Sequence, residues 1–157
     1  MALICMGRLK EKYWRDAAAE YEKRLSRFGK WETIELSDLP EPANSSPAIE
    51  EQIKKKEGEA ILAKVRDGDV VVCLCIEGKQ MSSEELSKKL EDIALSGKNN
   101  ITFIIGSSFG LSQEIKQMSD YKFSMSKMTF PHKLARIMLT EQIYRAMSIT
   151  NNGKYHK

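Results

Sequence analysis

A chain of 157 residues, 41% hydrophobic and 30% charged, can bury most of its unfolded surface as one domain, and it is neither fibrous nor disordered in composition. The net charge of +3 permits a polyanionic partner without requiring one, and by itself describes a solvated surface. Cys5, Cys73 and Cys75 have no zinc spacing and no disulfide framework, so buried thiols in a reducing compartment are expected, with no metal.

Strand-like and helix-like segments alternate along the chain. Residues 2–6 are a short apolar run closed by Gly7, too short for a signal-peptide core. A helix is expected over residues 10–27, with Tyr13, Ala17, Tyr21 and Leu25 in register. Residues 31–36 read as a partly exposed strand, and residues 38–47 as a loop ending in Ser46 as N-cap and Pro47 as first helical residue. The helix that follows, to about Val65, carries Lys54, Lys55 and Lys56 on what reads as a solvated face. VVVCLCI at 70–76 is apolar throughout, as strands covered on both faces are, and Gly78 is expected to break it. Ser82 and Glu85 have capping-box spacing for a helix ending near Gly97. ITFII at 101–105 is a second fully apolar strand, ended by Gly106. A short helix after Ser112, a strand over 121–125 and a long helix over 131–149 complete the order.

This alternation predicts a single α/β domain over 1–157, with a mostly parallel central sheet flanked by helices. Ligands bind such sheets at the carboxyl ends of the strands. Here those ends are Glu77-Gly78, the loop 106–110 and the loop 126–130. No stretch approaches transmembrane length, and a cytoplasmic protein is expected.

The loop Gly106-Ser107-Ser108-Phe109-Gly110 fits the G-x-S-x-G nucleophile elbow, and Asp120 and His132 follow in hydrolase order. No oxyanion-hole motif accompanies it, and it is neither a P-loop nor a dinucleotide fingerprint. A glycine pair that lets backbone approach a ligand and a simple tight turn fit these residues equally well. In the C-terminal helix Ile137 and Tyr144 lie on one side and Ala135, Leu139 and Ala146 on another. Lys133, Arg136 and Thr140 form a polar stripe between them, and Glu141 and Arg145 are an i,i+4 pair. A helix apolar on two sides must be buried on both, which predicts a homodimer. Both histidines, His132 and His156, fall in the last stretch of chain, His156 within the tail Tyr155-His156-Lys157.

The block PHKLARIMLTEQIYRAMSITNNGKYHK closely resembles the C-terminal signature of the RlmH family, the ribosomal large-subunit pseudouridine methyltransferases of the SPOUT class. The resemblance extends through the 70–76 strand with Gly78-Lys79 and the loop at 105–110. It implies a SPOUT-type fold with a C-terminal trefoil knot, a homodimer, and S-adenosylmethionine as cofactor. It further implies methylation of N3 of a pseudouridine in 23S rRNA of the assembled ribosome. Carried over by position, cofactor contacts fall on Leu74, Gly106, Met125, Ser126, Lys127, Met128, Thr129 and Phe130. His132, Tyr155, His156 and Lys157 become the candidates for catalysis, and Arg136 for a substrate phosphate or the dimer contact. The chain departs from the family at Ser107, where a second glycine is usual, and at Lys157, where arginine is frequent. A non-catalytic RNA-binding protein of the same fold is the rival reading.

Overall fold

The computed structural model describes residues 1–42, 44–153 and 155. Five parallel strands form one sheet in the order β2-β1-β4-β3-β5. They are β1 (Ala2–Met6), β2 (Glu32–Leu36), β3 (Val70–Gln80), β4 (Ile101–Ile105) and β5 (Tyr121–Ser124). The helices are α1 (Lys12–Leu25), α2 (Pro47–Leu62), α3 (Ser83–Leu95), α4 (Gln113–Met118) and α5 (His132–Thr150).

The period-2 alternation of the apolar strands divides the core in two. On one face Leu3, Cys5, Val70, Val72, Ile101, Phe103 and Ile105 pack with Leu86, Leu90 and Ile93 of α3 and Leu139, Ile143 and Ala146 of α5. On the other, Ile4, Met6, Val71, Cys73 and Ile104 meet Ile61 of α2 and Ile115 of α4. A strand apolar at every position is thus explained by a helix layer on each side. Each fully buried aliphatic side chain contributes roughly 1.5–3 kcal/mol. The cysteines are free thiols, and burial raises Cys5 to about 11.

Local chemistry sets the helix starts. The Ser82 hydroxyl accepts from Glu85 N at 3.2 Å and the Glu85 carboxylate accepts from Ser82 N at 2.7 Å, a complete capping box for α3. Ser46 caps α2 through Ile49 N at 3.4 Å, with Pro47 in the first turn.

Gly78 does not end β3, contrary to expectation. Leu74 and Lys79 both pair with Phe123, so residues 75–78 bulge out of the ladder before pairing resumes. A Cβ on Gly78 would stand 2.5 Å from the carbonyl carbon of Phe123. The glycine is there so that two backbones can touch, which sustains the strand beyond the bulge.

Candidate active site

All five strands point the same way, so their carboxyl ends share one edge. There the bulge of β3, the loop after β4 and the loop after β5 enclose a cavity of about 640 Å³. Its lining is mainly apolar, with Leu74, Ile76, Ile105, Met125 and Phe130 prominent, and His132 and Ala135 of α5 closing one side.

The loop after β4 is folded tightly upon itself. Gly110 N donates to Ser107 O at 3.0 Å. A Cβ on Gly106 would lie 2.5 Å from Gly110 O, so no larger residue fits without moving backbone. The loop after β5 is shaped by two serines. Ser124 donates to Ser126 O at 2.9 Å, and the Ser126 hydroxyl accepts from Met128 N at 3.0 Å.

Charge enters the cavity on one wall. Lys116 of α4 pairs with Glu77 at 2.5 Å, and its hydrogen bond holds the Glu77 carboxyl below the usual carboxylate range. Cys75, beside it, is pushed up to about 12, first by burial and then by its neighbour Cys73. Among the described residues no cluster of metal-ligating side chains occurs.

Leu74, Gly106, Met125, Ser126, Met128, Thr129 and Phe130, expected around the cofactor, are brought together as cavity lining, together with His132. Lys127 stands in the same loop, exposed, and does not line the cavity. The imidazole Nε2 of His132 lies 3.3 Å from the position a Cβ on Gly7 would occupy, and Asp38 Oδ2 lies 3.5 Å from it.

Tyr155 is placed elsewhere. The chain turns after α5 at Asn152, whose φ is 54°, and folds back along the helix. The Tyr155 ring meets Tyr144 edge-on at 4.7 Å, lies under Arg145, and its hydroxyl donates to Glu141 at 3.2 Å. Burial, reinforced by hydrogen bonds, pushes this phenol up to about 12, so it stays protonated at neutral pH. Glu141 is nine residues of helix from His132, roughly 14 Å at 1.5 Å per residue, so Tyr155 does not reach its own cavity. His156 and Lys157 lie outside the described residues.

Arg136 is placed inside the fold. The polar stripe expected between the two apolar sides of α5 is buried with them at two of its positions: Arg136 and Thr140 are 6% and 1% exposed. The guanidinium pairs with Glu35 at 2.5 Å and with Glu22 at 3.7 Å, tying α5 to β2 and α1. Helical periodicity places Arg136 between two apolar sides but cannot show carboxylates arriving from strands and helices far away in sequence. The Glu141–Arg145 pair forms as spaced, at 2.6 Å.

The hydrolase constellation does not assemble. Asp120 accepts from Val71 N at 2.8 Å, at the amino edge of the sheet. Ser108, at the opposite edge, donates to Glu41 instead of to a histidine. Missing from the sequence reading were Lys116 and Cys75, whose approach to the cavity depends on the β3 bulge.

The whole chain has counterparts among known proteins. The family model described as "Predicted SPOUT methyltransferase" matches residues 1–156. A Clostridium perfringens protein named ribosomal RNA large subunit methyltransferase H 1 is 50% identical over 157 residues, all of this chain and 99% of the relative. Proteins named ribosomal RNA large subunit methyltransferase H from Streptococcus thermophilus and Lactobacillus delbrueckii subsp. bulgaricus are 52% and 46% identical over 155 residues, 99% of this chain and 98% of each relative. A match of this extent, on a parallel sheet whose strand ends enclose a large cavity, leaves one conclusion: the chain belongs to the SPOUT methyltransferase family.

Proposed function

We propose that this chain is a cytoplasmic, S-adenosylmethionine-dependent methyltransferase. It methylates N3 of a pseudouridine in 23S rRNA of the large ribosomal subunit, with the assembled ribosome as substrate. The observation that carries this reading is the cavity of about 640 Å³ built from three strand ends, within the usual range for a cofactor-sized ligand. Family membership and the names of the relatives support methyl transfer to ribosomal RNA of the large subunit.

The residues present fit the cofactor. Gly106 and Gly110 present bare backbone to the cavity, and Leu74, Ile105 and Phe130 provide an apolar wall. The negative Glu77 suits a cationic group on the charged wall. When bound, S-adenosylmethionine supplies an already activated methyl group, so the chain chiefly binds, orients and excludes water. Leu74, Gly106 and the loop 125–130 hold the cofactor, with Lys127 at the exposed rim.

N3 must lose its proton as the methyl group arrives. His132, on the cavity wall, and His156, in the tail, are the rival proton acceptors, the two imidazoles of the chain. Tyr155 acts as a hydrogen-bond donor, because its raised pKa removes it as a base.

The working unit is a homodimer in which the tail of one subunit, Tyr155 to Lys157, covers the cavity of the other. Two facts support this: Tyr155 is held away from its own cavity, and Leu134, Ile137 and Met138 of α5 are only half-buried within one chain. The trefoil knot is part of the same reading, supported by α5, which follows the cofactor loop yet has Leu139 and Ile143 in the central core. Methyl transfer from labelled cofactor to ribosomes lacking the modification tests the whole. Incorporation at one pseudouridine is expected, and none, with no heat on cofactor titration, would leave the RNA-binding protein without turnover. Removing residues 153–157 should abolish transfer, and full activity of the shortened chain would eliminate the role of the tail.

A further inference from the structure

The most deeply buried carboxylate among the described residues lies immediately behind the cofactor loop. Glu57 of α2 is 3% exposed and makes no ion pair among the described residues. A buried charge is retained only where hydrogen bonds compensate its lost hydration. Two do so here. Ser107 donates to Glu57 Oε2 at 2.7 Å, and Leu39 N donates to Oε1 at 3.2 Å.

Each donor belongs to a different flank of the site. Ser107 lines the cavity and is the residue after Gly106. Leu39 follows Asp38, whose carboxylate shares the space beside Gly7 with His132 Nε2. The two flanks are joined a second time by the Ser108 hydroxyl on Glu41, at the exposed surface. Glu57 therefore fixes the cofactor loop relative to the segment bordering the candidate base, without itself touching the cavity.

We infer that Glu57 is a positioning residue for the methyltransferase: its carboxylate holds the loop 106–110 in the cofactor-receiving shape through Ser107, and holds the segment at residues 38–42 through Leu39. The hydroxyl of Ser107 supplies the donor on the loop side. Hydrogen bonds to a charged acceptor are roughly twice as strong as neutral ones, so the clamp is stiff. Loop and carboxylate act as one unit, so removing both ends should cost no more than removing the carboxylate.

The inference rests on the proposed cofactor site, and the experiment separates the two. Cofactor affinity is measured by calorimetry with S-adenosylmethionine for the parent chain, Glu57→Gln, Ser107→Ala and the double variant. Each single change should weaken binding about tenfold, with the double variant no weaker than the worse single. At saturating cofactor, kcat and the KM for ribosomes should stay within about twofold of the parent, which a general loss of structure would not allow. Should Glu57→Gln fail to fold, half-buried Ser107→Ala and Ser107→Gly carry the test, since both remove the donor. Affinities near the parent value, or losses that add in the double variant, overturn the role of Glu57. A parent chain that binds no cofactor overturns the function reading itself.

Discussion

The two edges of the sheet are made from the same five strands and use polar side chains in opposite ways. At the amino edge, Asp120 accepts from Val71 N, Thr102 donates to Asp69 at 2.5 Å, and Arg66 pairs with Glu32 at 2.6 Å. Strand starts and the turns before them are closed by one another, and the recess there is only about 60 Å³. At the carboxyl edge the loops after β4 and β5 fold on partners of their own, Gly110 N on Ser107 O and Met128 N on the Ser126 hydroxyl, and a space about ten times larger stays open. Backbone groups at a strand end need partners. Where side chains supply them, the edge is sealed and adds stability; where a loop supplies its own, the edge remains available to a ligand.

The sharpest way to break this contrast is Gly78→Ala. Its Cβ would meet the Phe123 backbone at 2.5 Å, where no flexible side chain can give way. We expect a loss of about 3 kcal/mol, at the upper end for overpacking, together with loss of cofactor binding because the bulge is a cavity wall. Chemical denaturation and calorimetry check both, and a stable, fully binding variant would show the β3–β5 contact to be dispensable.

Arg136→Met comes next. Its two carboxylate partners are partly exposed and can rehydrate, so the expected loss is about 2 kcal/mol, below that for a fully buried pair. The ribosome KM should hardly change. A variant of parental stability with a raised KM would return Arg136 to the substrate, as the sequence suggested.

Asp120→Ala is the amino-edge counterpart. Leaving Val71 N without its acceptor should cost about 1–2 kcal/mol while cofactor affinity stays within twofold of the parent. Weakened cofactor binding of the same proportion would mean that the two edges are not independent.

The elements legible in the sequence are those set by local chemistry. β4 is apolar from Ile101 to Ile105 and occupies that span, and the Ser82–Glu85 spacing closes as a capping box. The ends of β1 and β4 were legible too, marked by Gly7 and Gly106 after apolar runs. What was not legible depends on partners distant in sequence. Glu57 reads as one more charge on a lysine-rich helix until Ser107, fifty residues on, arrives against it. Gly78 reads as a strand breaker because sequence cannot show Phe123 approaching from β5. Arg136 reads as a candidate for a substrate phosphate or the dimer contact because its carboxylate partners, Glu22 and Glu35, lie more than a hundred residues earlier.

The smallest effect concerns the ion pair on the cavity wall. Lys116 holds the Glu77 carboxyl below its ordinary value of 4.5, and a carboxylate depressed in the folded state stabilises above its unfolded pKa. That contribution is fully present at neutral pH and is lost as pH falls through the folded pKa, below the usual carboxylate range. About half of the Glu77 side chain is exposed, so solvent screens the pair and its worth is small. Melting temperatures of the parent and Lys116→Met should therefore differ slightly at pH 7 and converge as the pH is lowered past that range. A gap that widened on acidification would reverse the sign and require Glu77 to be protonated when paired. Curves that coincide at every pH would assign Lys116 to the cavity alone, and the carboxyl edge would then hold a charge pair kept for its ligand and not for its fold.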